Sequence, residues 1–136
     1  MLLALLCVTA ARAQDADETA AAITQVTGTW TGTDTEGGSS PGPMMMVLTQ
    51  TGKSVSGTFN VTSSTDTPTG NAKGSISKDN LKLTFVTTGG TKYTCDAKVL
   101  ATVNPTAMPP TMSGAFVVKG NKKHCKGKGT FHLTQQ

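Results

Sequence analysis

The sequence predicts an all-β protein, an eight-stranded antiparallel up-and-down barrel, on three observations. A pattern of polar residue, Gly, small residue and apolar residue returns four times, as Ser56-Gly57-Thr58-Phe59, Lys73-Gly74-Ser75-Ile76, Ser113-Gly114-Ala115-Phe116 and Lys128-Gly129-Thr130-Phe131. Side chains alternate faces along a strand, so each Gly shares a face with the apolar residue two places on. A face that is small and then large lets a strand bend and a twisted sheet close on itself. The second observation is a succession of eight alternating segments joined mostly by short turns, which is what an up-and-down barrel requires. The third is composition: hydrophobic residues make up 36% and aromatics 4%, below the usual globular share, while Thr and Gly are abundant. Thr suits strands and Gly supplies turns. A sandwich is the competing topology, and only three loops are long enough to supply its crossovers.

The elements follow in chain order. Residues 2–10 are mostly apolar and Ala11-Arg12-Ala13 has the small-x-small form of a signal-peptidase site, so a signal peptide is expected over 1–13, although no basic residue precedes the apolar run. Cys7 lacks the small preceding residue of a lipid-anchor site, since Leu6 stands there. Residues 14–25 are acidic and Ala-rich without an apolar stripe and are expected as a flexible tail, leaving 26–136 as the single barrel domain. Strand one alternates Thr27, Thr29, Thr31, Thr33 and Thr35 with Gly28, Trp30, Gly32 and Asp34, which puts a Thr row outside and Trp30 within. After the Gly- and Pro-rich loop 36–43, strand two covers 44–50 and strand three 55–62, the latter with Val55, Gly57, Phe59 and Val61 inward. Loop 63–69 leads to strand four, 70–77, and then to strand five, 81–87, where Leu81, Leu83 and Phe85 alternate. Thr88-Gly89-Gly90 turns into strand six, whose Tyr93, Cys95, Ala97 and Val99 share a face. The Pro-rich loop 104–111 precedes strand seven, 112–119, and a lysine-rich segment joins it to strand eight, 127–135.

Once a leader is removed, Cys95 and Cys125 remain, an even pair that in an exported protein is most simply a disulfide. Parity puts Cys95 on the face of Tyr93 and Ala97, and Cys125 on that of Phe131 and Leu133 if strand geometry runs back that far. The predicted location is secreted or periplasmic. No other apolar run approaches the ~20 residues of a membrane-spanning helix.

The formal charge is +4, and the only arginine is Arg12. Without the planar guanidinium fork, specific nucleic-acid recognition is disfavoured. Five lysines crowd one segment: Lys119, Lys122, Lys123, Lys126 and Lys128. This basic patch either attracts an anionic partner or keeps an edge hairpin soluble and unpaired.

Gly28-Thr29-Trp30 followed by seven alternating strands resembles the Gly-x-Trp opening of calycin-type barrels, the lipocalins and avidins. That resemblance implies a ligand pocket in the barrel and a basic side chain packed on the Trp, for which Lys126 or Lys128 is the nearest substitute. The several ring walls of a biotin site have no counterpart, because Trp30 is the sole Trp. Locally, Tyr93-Thr94-Cys95-Asp96 with Ser113-Gly114-Ala115-Phe116 and Cys125 is similar to periplasmic lysozyme inhibitors, in which a Ser and a Lys enter the lysozyme cleft; Ser113 and Lys119 are the nearest matches.

The titratable residues give little basis for catalysis. From Gly28 onward the acids are Asp34, Glu36, Asp66, Asp79 and Asp96, none of them paired in sequence, and His124 and His132 both fall on the expected outer face. Met44-Met45-Met46, with Met108 and Met112 elsewhere, could suggest a Cu(I) site. Adjacent strand residues face opposite ways, so three consecutive Met cannot converge on one ion. The disulfide takes the Cys from any His124-Cys125-His132 metal cluster. No metal and no cofactor is expected. Asn60-Val61-Thr62 matches a glycosylation sequon.

The expected function is that of a non-catalytic exported barrel that binds a small apolar ligand at its mouth through Trp30, Phe59, Tyr93 and Phe116. The alternative is a protein-binding module, such as an inhibitor of a secreted hydrolase (lysozyme or protease), acting through loop 36–43, loop 104–111 or the basic hairpin.

Overall fold

A computed structural model describes residues 23–38, 40–62, 66–120 and 124–136. The expected signal peptide lies outside the described residues, as do most of the expected tail and Lys122 and Lys123 of the basic patch.

Eight antiparallel strands form one closed barrel: β1 (Gly28–Glu36), β2 (Gly42–Thr51), β3 (Ser54–Val61), β4 (Thr69–Ser77), β5 (Asn80–Gly89), β6 (Asp96–Asn104), β7 (Thr111–Lys119) and β8 (Gly127–Gln135). Each strand pairs with its sequence neighbours, and β8 returns to β1. The up-and-down barrel is therefore the architecture, and the sandwich is excluded. Closure also corrects one reading of the lysine segment, because β7 and β8 each have two neighbours and neither is an edge in need of protection.

The recurring glycines lie on the inner face, and cross-strand register explains why they are needed. Gly57 opposes Leu48, Gly74 opposes Leu83, Gly114 opposes Phe131 and Gly129 opposes Phe116. Each small residue makes room for a large one on the adjacent strand. A Cβ on Gly129 would stand 2.5 Å from Phe116 Cζ, and one on Gly114 would stand 2.7 Å from Phe131 Cζ. At Gly57 and Gly74 the obstacle is backbone: Val47 O at 1.9 Å and Lys82 O at 1.8 Å. These are places where the sheet bends too sharply to carry an inward side chain.

The interior is apolar, and the outer wall carries Thr, Ser, Asn and Lys with Met45, Val47, Val86, Leu100 and Val117 exposed among them. Among the described residues no helix is long and apolar enough to cross a membrane. The best-packed half of the core contains Trp30, Leu48, Val55, Ile76, Leu81, Met112 and Leu133, all essentially inaccessible. It occupies the end that holds the β2–β3, β4–β5 and β6–β7 turns and both ends of the described chain. Residues before β1 close that end: the Val26 amide donates to Gln50 Oε1 (2.9 Å), Thr24 Oγ1 bonds Asp79 Oδ1, and Ile23 packs against the core.

Strand six begins later than its alternation suggests. Gly90 has a positive φ of 78°, and the Thr91 hydroxyl both accepts from the Tyr93 amide (2.9 Å) and donates to the Tyr93 carbonyl (2.7 Å). This local turn takes the backbone groups a ladder would use, so residues 90–95 form a loop and β6 starts at Asp96.

Candidate functional site

The other end of the barrel is ringed by the described residues of the connections β1–β2, β3–β4, β5–β6 and β7–β8. A cavity of about 200 Å³ opens between them. Its inner wall is apolar: Met44, Phe59, Val61, Phe85, Phe116 and Val118 line it from β2, β3, β5 and β7. The rings of Phe59 and Phe85 stack with centroids 4.3 Å apart and planes 8° from parallel. They belong to non-adjacent strands and can meet because the intervening strand presents Gly70 and Ala72, the register partners of Phe59 and Phe85. Short inward residues on β4 thus assemble an aromatic surface from two strands.

The Cys95–Cys125 disulfide holds the rim, joining the β5–β6 and β7–β8 connections with Cα atoms 5.4 Å apart. Beside it Tyr93 and His124 stack at 4.1 Å, and Lys92 Nζ lies 5.6 Å from the Tyr93 ring centre. The disulfide is the one expected of the pair, but both cysteines lie in connections outside the strands, so strand parity does not set their direction. His124 does not lie on the outer barrel face; its link to Cys125 swings it over the mouth, where it borders the cavity.

Acidic groups converge here as well. Asp34 and Glu36 occupy the inward positions at the upper end of β1, and Asp66 of the β3–β4 connection and Asp96 at the start of β6 complete the border. Asp34 is only 6% exposed. Burial, more than the neighbouring Glu36 charge, raises its carboxyl above the ordinary value of 3.8, against the lowering effect of a hydrogen bond from its own backbone amide.

Of the four expected ligand residues, Phe59, Tyr93 and Phe116 line the cavity and Trp30 does not. Trp30 is fully buried at the closed end, where its indole N–H donates to the Val26 carbonyl at 2.9 Å. Inward parity placed it correctly, but its height along the barrel axis makes it core. The basic side chain implied to pack on Trp30 is also absent from that position, because Lys126 and Lys128 are exposed near the mouth. Lys119, the remaining described lysine of the patch, is exposed at the same end. Sequence reasoning missed Asp34, Glu36 and Phe85 as site residues. For Asp34 and Phe85 the signal was present, since each alternates in phase with inward residues.

A second polar pair lies on the outer wall. Ser113 Oγ and His132 Nδ1 are 2.7 Å apart across β7 and β8, and both residues are exposed. Among the described residues no acid is hydrogen-bonded to the imidazole, and the neighbouring backbone N–H groups belong to the sheet, so the pair lacks the polarising donors of acyl transfer. Among the described residues no group of three or more His, Cys, Asp or Glu is arranged to hold a metal ion.

A disulfide and a chain without a membrane-crossing helix among the described residues are compatible with an extracellular or periplasmic protein. Comparison with protein-family models, curated proteins and solved structures finds no match to this chain.

Proposed function

We propose that the chain is a non-catalytic exported binding protein that holds a small, largely apolar ligand at the mouth of its barrel. The observation that supports this is the cavity of about 200 Å³ walled by Met44, Phe59, Phe85 and Phe116. A concave apolar recess with a few convergent polar groups is the usual form of a small-molecule site, and this one is smaller than the usual range of about 300–1,000 Å³. A dry apolar cavity of about 150 Å³ admits benzene, so the volume suits one ring with a short substituent. The Ser113–His132 pair gives no basis for catalysis, because among the described residues it has neither an orienting acid nor an oxyanion site.

The test is titration with indole, followed by methyl and aromatic NMR shifts. Dose-dependent shifts confined to Met44, Val61, Phe85 and Phe116, with Leu133 and Met112 unmoved, are the expected result. Uniform or absent shifts at millimolar indole overturn the reading.

One observation favours a second reading, a protein-binding module such as an inhibitor of a secreted hydrolase. Met108 is 97% exposed in the 105–110 connection, at the end of the barrel opposite the cavity. A large apolar side chain held out by a Pro-rich loop is a plausible anchor for a partner's pocket. Inhibition of a secreted lysozyme or protease that is lost in Met108→Asp supports that reading, and no inhibition across a panel removes it.

A further inference from the structure

We infer that the ligand of the mouth carries a protonated amine on a short arm from an aromatic ring, with Asp34 as the group that receives it. This rests on the proposed binding function and names the chemical class of its ligand.

Three observations combine. Asp34 faces the cavity from β1 among apolar residues and is 6% exposed, so its carboxylate has little water to solvate it. The charge that acts on it most is that of Glu36, which has the same sign and cannot compensate it. A carboxylate in that position is a cost to the empty protein, and such costs are characteristic of groups kept for a ligand. The second observation is the aromatic wall. The stacked Phe59 and Phe85 rings and Phe116 line the same cavity, and aromatic rings attract cations as well as apolar groups. The third is the distribution of charge. The chain is basic overall, with a formal charge of +4, yet of its five acids from Gly28 onward all but Asp79 border this cavity. Among the described residues that line the cavity the four acids outnumber the one lysine, Lys126, although Lys92, Lys119 and Lys128 stand exposed around the same end, and a lining of that sign favours a cation over an anion. Lys126 and His124 also border the cavity, but both are exposed on its rim, whereas Asp34 is inside.

Size limits the arm. About 200 Å³ accommodates a single ring and two or three further heavy atoms.

The probes are 2-phenylethylamine, 2-phenylethanol and phenylacetate, close in shape and differing in charge, titrated into the full folded protein by calorimetry and by the NMR shifts of Phe59, Phe85 and Phe116. The amine is expected to bind about tenfold to a hundredfold more tightly than the alcohol, the range of a hydrogen bond to a charged group, with phenylacetate weakest. Asp34→Asn is expected to remove the preference for the amine and leave the alcohol's affinity nearly unchanged. Equal affinities for amine and alcohol, or tightest binding of phenylacetate, overturn the amine assignment while leaving an apolar binding site in place. Failure of all three to bind overturns the binding function together with it. If Asp34→Asn does not fold, the ranking of the three probes on the unmodified protein decides the matter.

Discussion

Reduction of the Cys95–Cys125 disulfide is expected to lower the thermal midpoint by about 15 °C. The cysteines are 30 residues apart. Cross-linking a loop of that length removes about 12 cal/mol/K of denatured-state entropy on the chain-entropy account, or about 3.6 kcal/mol at 25 °C. A barrel of roughly 110 residues unfolds with an entropy of about 0.23 kcal/mol/K near its midpoint, and dividing the two gives the shift. The loss is a large fraction of the 5–15 kcal/mol typical of a domain. The assay is thermal unfolding by circular dichroism, with and without a phosphine reductant, at one protein concentration and neutral pH. Reduction leaves both sulfurs in place, so the comparison isolates the cross-link from the buried volume of Cys125, which is 3% exposed. A Cys95→Ser/Cys125→Ser double variant should melt at or below the reduced protein. A fall of less than about 5 °C refutes the reasoning, since it would mean that the two mouth connections are held together without the bond or are already close in the unfolded chain.

Asp34→Asn is expected to raise stability at neutral pH. A carboxyl whose folded value is raised contributes stability that is fully present below its unfolded value near 3.8 and is lost as pH rises through the folded value, so the ionised form is the destabilising one. The gain of the variant should vanish in acid, in urea titrations across pH that also register Glu36, Asp66, His124 and Lys126 around the mouth; a variant less stable at neutral pH contradicts the sign. Gly74→Val is expected to cost at least about 3 kcal/mol or prevent folding, because its Cβ would stand 1.8 Å from Lys82 O, whereas Ser75→Val on the exposed face should stay within about 0.5 kcal/mol. Denaturant midpoints that place the two variants together would show that the inner face has room the register denies.

Alternation with a period of two carries inside-versus-outside information, and nearly everything decided by that distinction could be read from the chain. The glycines of the repeated pattern and the row Leu81, Leu83 and Phe85 follow from it, whereas the pairing of Cys95 with Cys125 followed from there being an even pair of cysteines. Closure followed from the number of strands and the brevity of the turns. Height along the barrel axis is another matter, because it is set by the stagger of neighbouring strands, which alternation does not encode. Trp30 and Phe59 are both inward and both aromatic, yet one lies in the sealed base and the other in the open cavity. The same limit hid the gathering of Asp34, Asp66 and Asp96, which lie far apart in sequence and reach one rim only through the register of β1, β3–β4 and β6. His124 was unreadable for a different reason: it stands in a connection without periodicity, and its place is fixed by the covalent link of its neighbour Cys125.

The pairing of β8 with β1 brings the last residue of the described chain beside the start of β1, with the Gln136 amide donating to the Thr29 carbonyl at 2.9 Å, on the base away from the cavity. Anything fused to the carboxy terminus hangs beneath the molecule and leaves the entrance unobstructed, so an immobilised or tagged form retains full access for solutes.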